Sequence, residues 1–141
     1  MTLKSVIKDG RGGTGNLAEV SSAGELVVKG FGDVQSKFLT LNSTAVGFNF
    51  FPPLSGQNFV VTTIIFDTGV ATTLTVYEAS NTTTTTVDKT ILTASLTANQ
   101  FITIALPFGG FLPMTEGEFL NVKVSAQPVN VTISGFYRPI N

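Results

Sequence analysis

The feature that most constrains this chain is a two-residue alternation of apolar and polar side chains, repeated in short segments from residue 38 onward. Near the C-terminal end, for example, Leu120 and Val122 alternate with Asn121 and Lys123. Successive side chains of a β-strand point to opposite faces of the sheet, so the pattern predicts strands that are buried on one side. Helical periodicity is missing from every window of ten or more residues, and we expect any helix to be a single turn.

The alternation and the enrichment in β-branched residues mark eight separate segments. We predict strands at 38–42, 45–51, 58–67, 72–79, 87–96, 100–106, 119–125 and 129–138. Segments rich in Gly, Pro and Asp lie between them, and a turn signal about every 8–12 residues is typical of two-sheet β folds. The prediction is therefore an all-β fold, an eight-stranded antiparallel sandwich that is jelly-roll-like, preceded by an extended Gly-rich N-terminal arm.

Two of the segments, 59–66 and 101–106, are apolar on both faces. An antiparallel strand that meets water on one side usually carries polar residues there. One interpretation is a central strand covered by a long loop or by the arm. The other is a second apolar surface that meets another subunit, and the low charge of the β region favours it.

Composition excludes several classes of protein. The 141 residues suffice for one domain, and 43% of them are hydrophobic while 12% are charged, against about 25% charged in a typical protein. A net charge of -1 argues against a nucleic-acid binder, and no apolar run approaches the roughly 18 residues of a membrane span. The first ten residues do not predict a signal peptide.

Catalytic residue types are scarce. The chain contains no cysteine and no histidine, which removes thiol nucleophiles, the usual neutral general base and Cys- or His-based metal sites. Glu116 and Glu118 form a possible carboxylate pair, but the glycine between them favours a solvated turn. A calcium site from Asp67, Asp88 or Glu116 lacks a recognisable spacing. We predict no enzyme activity, no cofactor and no metal.

The first 37 residues differ in composition from the rest. We predict an arm over 1–37 with one short hairpin, and a β domain over 38–141. The segment 10–15 (GRGGTG) matches a dinucleotide-binding fingerprint by letter, but a helix must follow such a fingerprint, and residues 16–24 are too short and too turn-rich for one. We interpret the glycines as backbone that turns sharply or lies close to another chain.

Two further biases concern loops. The five-threonine run at 82–86 predicts an exposed hairpin loop or edge strand. Most of the twelve phenylalanines are expected in the core. Phe108 and Phe111, which lie among Gly and Pro residues, are instead expected to be docking anchors, because buried aromatic side chains carry much of the energy of protein interfaces.

The N-terminal segment 6–28 resembles the start of tailed-bacteriophage virion proteins, which include capsid decoration (cement) proteins, head fibres and tail-associated proteins. The matching letters are VIKDGRGGTGNLAEV, followed by GELVV after a short gap. The C-terminal segment 131–137 is similar to the closing strand of trimeric jelly rolls of the C1q and tumour-necrosis-factor class. The resemblance implies a homotrimer on the capsid surface, with the major capsid protein as partner, and no nucleic acid or membrane as partner.

An arm with little apolar content orders only against a partner, and three arms of a trimer act together. We therefore expect capsid or inter-subunit contacts in the arm and at the two loop aromatics. The predicted partner-binding residues are Lys8, Asp9, Gly10, Arg11, Gly12, Gly13, Thr14, Gly15, Asn16, Phe108 and Phe111.

Two other functions stay open from sequence. One is a host-glycan-binding fibre or tail module that uses loops 80–86 or 107–118; the absence of Trp argues mildly against it. The other is a tail or baseplate structural component, which differs from a head protein only in its position in the virion.

Overall fold

The computed structural model describes residues 34–106 and 114–140, together with the backbone of two short strands nearer the N-terminus. These two strands, β1 (Glu19–Val20) and β2 (Leu26–Val27), pair antiparallel with each other inside the predicted arm. The chain divides into two compact units, Met1–Gly32 and Asp33–Asn141. No helix among the described residues has the length and apolar character needed to cross a membrane.

The second unit is the predicted antiparallel sandwich. Its strands are β3 (Gln35–Leu41), β4 (Phe48–Phe51), β5 (Gln57–Thr68), β6 (Thr72–Ala79), β7 (Lys89–Leu96), β8 (Gln100–Ala105), β9 (Phe119–Val124) and β10 (Val129–Pro139). One sheet has the order β3-β10-β5-β8 and the other the order β4-β9-β6-β7. Most consecutive strands alternate between the two sheets, and this connectivity makes the sandwich jelly-roll-like, as predicted.

The core lies between the two sheets, where alternate residues of every strand meet. Phe50 and Leu74 come from one sheet and Ile64 and Ile133 from the other, and all four are almost completely buried. Phe51 on β4 and Phe59 on β5 join the two sheets, and their rings stack with centroids 4.0 Å apart. Burial of one side of each strand explains the alternation in the sequence.

Three strands, β3, β4 and β7, begin two or three residues away from the predicted starts. β4 begins at Phe48 and not at residue 45, because the Ser43 hydroxyl accepts a hydrogen bond from the Ala45 amide, 3.1 Å away, and turns the chain there. β3 begins at Gln35, inside the predicted arm, because its residues 35–41 pair along β10 as far as Gly135.

A β-bulge interrupts the pairing of β5 with β10 beside Gly135. A Cβ atom at Gly135 would overlap the carbonyl oxygen of Val60 and the ring of Phe59. The site therefore requires glycine, because the neighbouring strand approaches too closely for a side chain. In the sequence, the glycine only interrupts an apolar run.

Candidate interaction surface

Each sheet of the sandwich has an outer face, and the two outer faces differ in what covers them. We call the outward side chains of β4, β9, β6 and β7 the loop-covered face, since the Thr-rich loop (residues 80–88) folds back over one end of it. We call the outward side chains of β3, β10, β5 and β8 the open face. The outward positions alternate with those that enter the core.

The Thr-rich loop joins β6 to β7, as the five-threonine run predicted, and its side chains are mostly exposed. Its backbone, however, is tied to the sandwich. The Gly47 amide donates to the Thr83 carbonyl at 2.8 Å, and the Asp88 amide donates to the Glu78 carbonyl at 2.9 Å. The loop is thus held at both ends and is part of the folded surface.

Beneath the loop lies a polar network around Tyr77 and Asn121, which are both fully buried although they point away from the core. The Tyr77 hydroxyl donates to the Thr84 carbonyl at 2.5 Å, and the Asn121 amide nitrogen donates to the Asn81 carbonyl at 2.9 Å. The Asn121 side-chain oxygen accepts from the Asn49 amide at 3.1 Å. Burial raises the pKa of the Tyr77 phenol, and the hydrogen bond with Asn121 partly opposes this increase.

A lysine completes this network at the rim. The Lys123 ammonium donates to the Thr85 carbonyl at 2.9 Å and lies 5.4 Å from the centre of the Tyr77 ring. The sequence pattern places Asn121 and Lys123 together on a polar strand face. The structure buries Asn121 and leaves Lys123 half-exposed, because the loop covers the first and only borders the second.

Three carboxylates approach one another next to this loop. Glu78 is only 2% exposed; its Oε1 atom accepts from the Thr115 amide at 2.9 Å and lies 3.7 Å from the Lys89 ammonium. Burial raises the pKa of Glu118, and the nearby carboxylates of Asp88 and Glu78 raise it further. The Glu118 Oε2 atom is buried and meets no hydrogen-bond partner in the described part of the chain.

Of the candidate catalytic and calcium-binding carboxylates, Asp88 and Glu118 belong to this cluster. Glu116 lies apart from the cluster and accepts a hydrogen bond from the Gly56 amide at 3.2 Å, and Asp67 lies on β5. Among residues 34–106 and 114–140, no group of three or more acidic side chains has the geometry to hold a metal ion.

The open face has a different surface chemistry. Phe38 on β3 is 59% exposed and Phe101 on β8 is 67% exposed, and both point outward. Between them lie half-buried Ile65 and Thr132 on the two central strands. Most of the other outward side chains in this part of the face are Ser, Thr, Asn or Ala. In the rows of paired residues that run from 36–40 on β3 to 101–105 on β8, Asp67 is the one charged outward side chain among the described residues.

The two segments that look apolar on both faces in the sequence, 59–66 and 101–106, lie along β5 and β8 of the open face. Ile65 makes the outer side of β5 apolar, whereas β8 alternates regularly, with Ile102 and Ile104 packed on the core and Phe101 exposed. Phe38 was missed, because its flanking residues Ser36 and Thr40 made the outer side of β3 look polar.

The predicted partner-binding residues cannot be placed on either face. Lys8, Asp9, Gly10, Arg11, Gly12, Gly13, Thr14, Gly15, Asn16, Phe108 and Phe111 all lie outside the described residues. Their role in contacts with a capsid or with a sister subunit stays a prediction.

Comparison with models of protein families, with characterised proteins and with solved structures found no match to this chain. The function is therefore inferred from the residues and surfaces described above.

Proposed function

We propose that this chain is a structural protein of a bacteriophage virion, which binds the outside of an assembled capsid as a homotrimer and cements neighbouring capsid subunits. The observation that carries the proposal is the exposure of large apolar side chains on a sandwich with very few charges. Phe38 and Phe101 are the most exposed aromatic residues of the described sandwich. Such side chains are unusual on a free surface and frequent at protein interfaces.

The residue inventory supports a structural role. From residue 38 onward the chain has eight charged side chains, and those of Glu78 and Lys89 contact each other within the fold. A small free-standing domain usually carries more surface charge to remain soluble. A protein whose surface is covered by neighbouring subunits needs less of that charge.

The resemblance of residues 6–28 to the start of phage virion proteins supports the capsid as partner. Three copies joined as a trimer would present three arms at once, so that weak contacts of a single arm add up to firm attachment. A protein that binds the assembled lattice, and not the free capsid subunit, stabilises the assembled state by mass action.

The test is co-sedimentation of the purified protein with empty capsids of the phage that encodes it. We expect saturable binding by the full chain, and loss of binding after deletion of residues 1–20, with the circular dichroism of the β domain unchanged. If the full chain does not bind to capsids, the proposal is contradicted. If the deletion variant binds as well as the full chain, the role of the arm is contradicted.

A further inference from the structure

The exposed part of the open face is apolar at its two sides and hydroxyl-rich between them. Phe38 lies on β3, one edge strand of the sheet, and Phe101 lies on β8, the other edge strand. With strands spaced about 4.8 Å apart, the two edge strands are about 14 Å apart across the face. Its charged residues among the described positions are Asp67 at one end of the central strands and Arg138 at the other.

Four of the polar side chains of this face are paired with each other across β3 and β10. The Ser36 and Ser134 hydroxyls lie 2.6 Å apart across β3 and β10, and the Thr40 hydroxyl donates to the Asn130 side-chain oxygen at 2.8 Å. Hydroxyl and amide groups that already have partners cost little when water is removed from them. The β3–β10 side of the face can therefore be covered by another surface at little cost from these four side chains.

The best-matched partner for this surface is a second copy of the same face. A highly charged partner would lose hydration and gain few ionic contacts, because among the described residues the face offers two charges, Asp67 and Arg138, at opposite ends of the central strands. The loop-covered face is a poor match, since Lys123 and the Glu78–Lys89 pair lie on or beside it. The open face itself has the matching low charge and exposed aromatic rings.

The positions of the two rings suit a cyclic arrangement. When three copies turn their open faces toward a common axis, the β3 side of each face meets the β8 side of the next one. Phe38 of one copy then lies against Phe101 of its neighbour, and the same contact repeats three times and closes the ring. An aromatic pair at the centre of each contact is the usual form of an interface hot spot.

We propose that the open face is the subunit contact of the trimer, with Phe38 of each copy packed against Phe101 of the next. This inference rests on the proposed function for the trimeric state and adds the surface and residues that make it. The face covers roughly 300–400 Å², less than the ~800 Å² per partner of a standard interface. Contacts this small are typical of weak association, so the trimer should dissociate on dilution.

The test is the molar mass of the full chain by light scattering over a range of concentrations, for the wild type and for the double variant Phe38→Ser/Phe101→Ser. We expect the double variant to remain monomeric at concentrations about 100-fold above those at which the wild-type trimer dissociates. The matched control is Leu54→Ser, which also removes an exposed apolar side chain, but from a loop off the open face; it should behave as wild type.

A second pair of variants tests the same surface by adding charge. Thr103→Lys places a cation on the open face and should weaken the trimer at least tenfold, whereas Ser95→Lys, on the exposed edge strand of the other sheet, should not. All these side chains are exposed, and thermal unfolding followed by circular dichroism will show that the variants are folded.

The outcomes separate this inference from the proposed function. A wild-type trimer that none of the open-face variants weakens overturns the inference and leaves capsid attachment unaffected. A trimer that the open-face variants dissociate, but that never binds capsids, supports the inference and contradicts the proposed function. A wild-type chain that is monomeric at every concentration overturns both the inference and the trimeric state.

Discussion

The two outer faces of this sandwich both come from strands with alternating side chains, yet the chain's own Thr-rich loop covers one end of the first, whereas the second exposes two phenylalanines. On the loop-covered face, the buried Tyr77 and Asn121 bind backbone carbonyls of the Thr-rich loop. On the open face, Phe38 and Phe101 are exposed and no comparable polar network reaches the described residues around them. The difference indicates that polar outward residues can serve internal stability, while apolar outward residues can serve contact with a neighbour.

The comparison implies that truncating an outward asparagine destabilises the protein much more on the loop-covered face than on the open face. Asn121→Ala removes a fully buried amide, leaves the Asn81 carbonyl without this donor, and takes one of three acceptors from the Asn49 side-chain amide. We expect the free energy of unfolding to fall by about 2–3 kcal/mol, because unpaired buried polar groups are costly. Urea unfolding followed by circular dichroism measures this loss.

The matched control for that variant is Asn130→Ala on β10, whose side chain accepts a hydrogen bond from the exposed Thr40 hydroxyl. Its effect on the unfolding free energy should stay within about 0.5 kcal/mol. Equal losses for the two variants would show that the loop does not stabilise the face it covers.

The anchoring of the loop depends on a close approach at Gly47. A Cβ atom there would overlap the Tyr77 hydroxyl and the Thr84 carbonyl. Gly47→Ala should destabilise the protein by about 1–3 kcal/mol through overpacking. Gly69→Ala, where a Cβ atom meets nothing within 4 Å, is the control and should change the midpoint of urea unfolding little.

Removal of the Tyr77 hydroxyl tests one hydrogen bond of the network separately from the others. Tyr77→Phe keeps the ring and removes the donor to the Thr84 carbonyl, so we expect a loss of about 1 kcal/mol in the free energy of unfolding. Hydrogen exchange should also accelerate at the Thr83–Thr86 amides and remain unchanged on β3. Unchanged exchange in the loop would contradict its attachment through Tyr77.

The smallest expected effect concerns pH. The folded-state pKa of Glu118 is raised, first by burial and then by Asp88 and Glu78, so its ionisation opposes folding. Stability from the protonated form is present below the unfolded-state pKa and is lost as the pH rises toward the folded-state pKa. Glu118→Gln should therefore raise the melting temperature slightly at pH 7, and this gain should disappear near pH 4. A gain that is equal at both pH values would point to a cause other than ionisation.

The fold was predictable because its signal is local. Alternation in segments such as 119–125 and 129–138 placed the strands β9 and β10 almost to the residue. The start of β4 was shifted by the hydrogen bond of the Ala45 amide to the Ser43 hydroxyl. The start of β7 lies after the Thr-rich loop, whose backbone is hydrogen-bonded to Gly47 and to Glu78. Alternation identifies which residues share a side and contains no information on what covers that side.

The surfaces were less predictable for the same reason. Asn121 looks solvated in the sequence and is buried only because residues 80–88, about 40 positions away, fold over it. Phe38 looks like a core residue by type, and its exposure follows from pairing with β10, about 90 positions away. Chemical type alone cannot distinguish a phenylalanine that fills the core from one that contacts a neighbouring subunit.

The most direct test of the central claim is whether the open face is covered in solution. The chain has no cysteine, so single cysteines introduced as Thr103→Cys on β8 and Ser95→Cys on β7 can be labelled selectively. Both sites are exposed on edge strands of the isolated subunit. We expect maleimide to modify Thr103→Cys much more slowly than Ser95→Cys at high protein concentration, and the two rates to converge on dilution. Equal rates at every concentration would contradict the account.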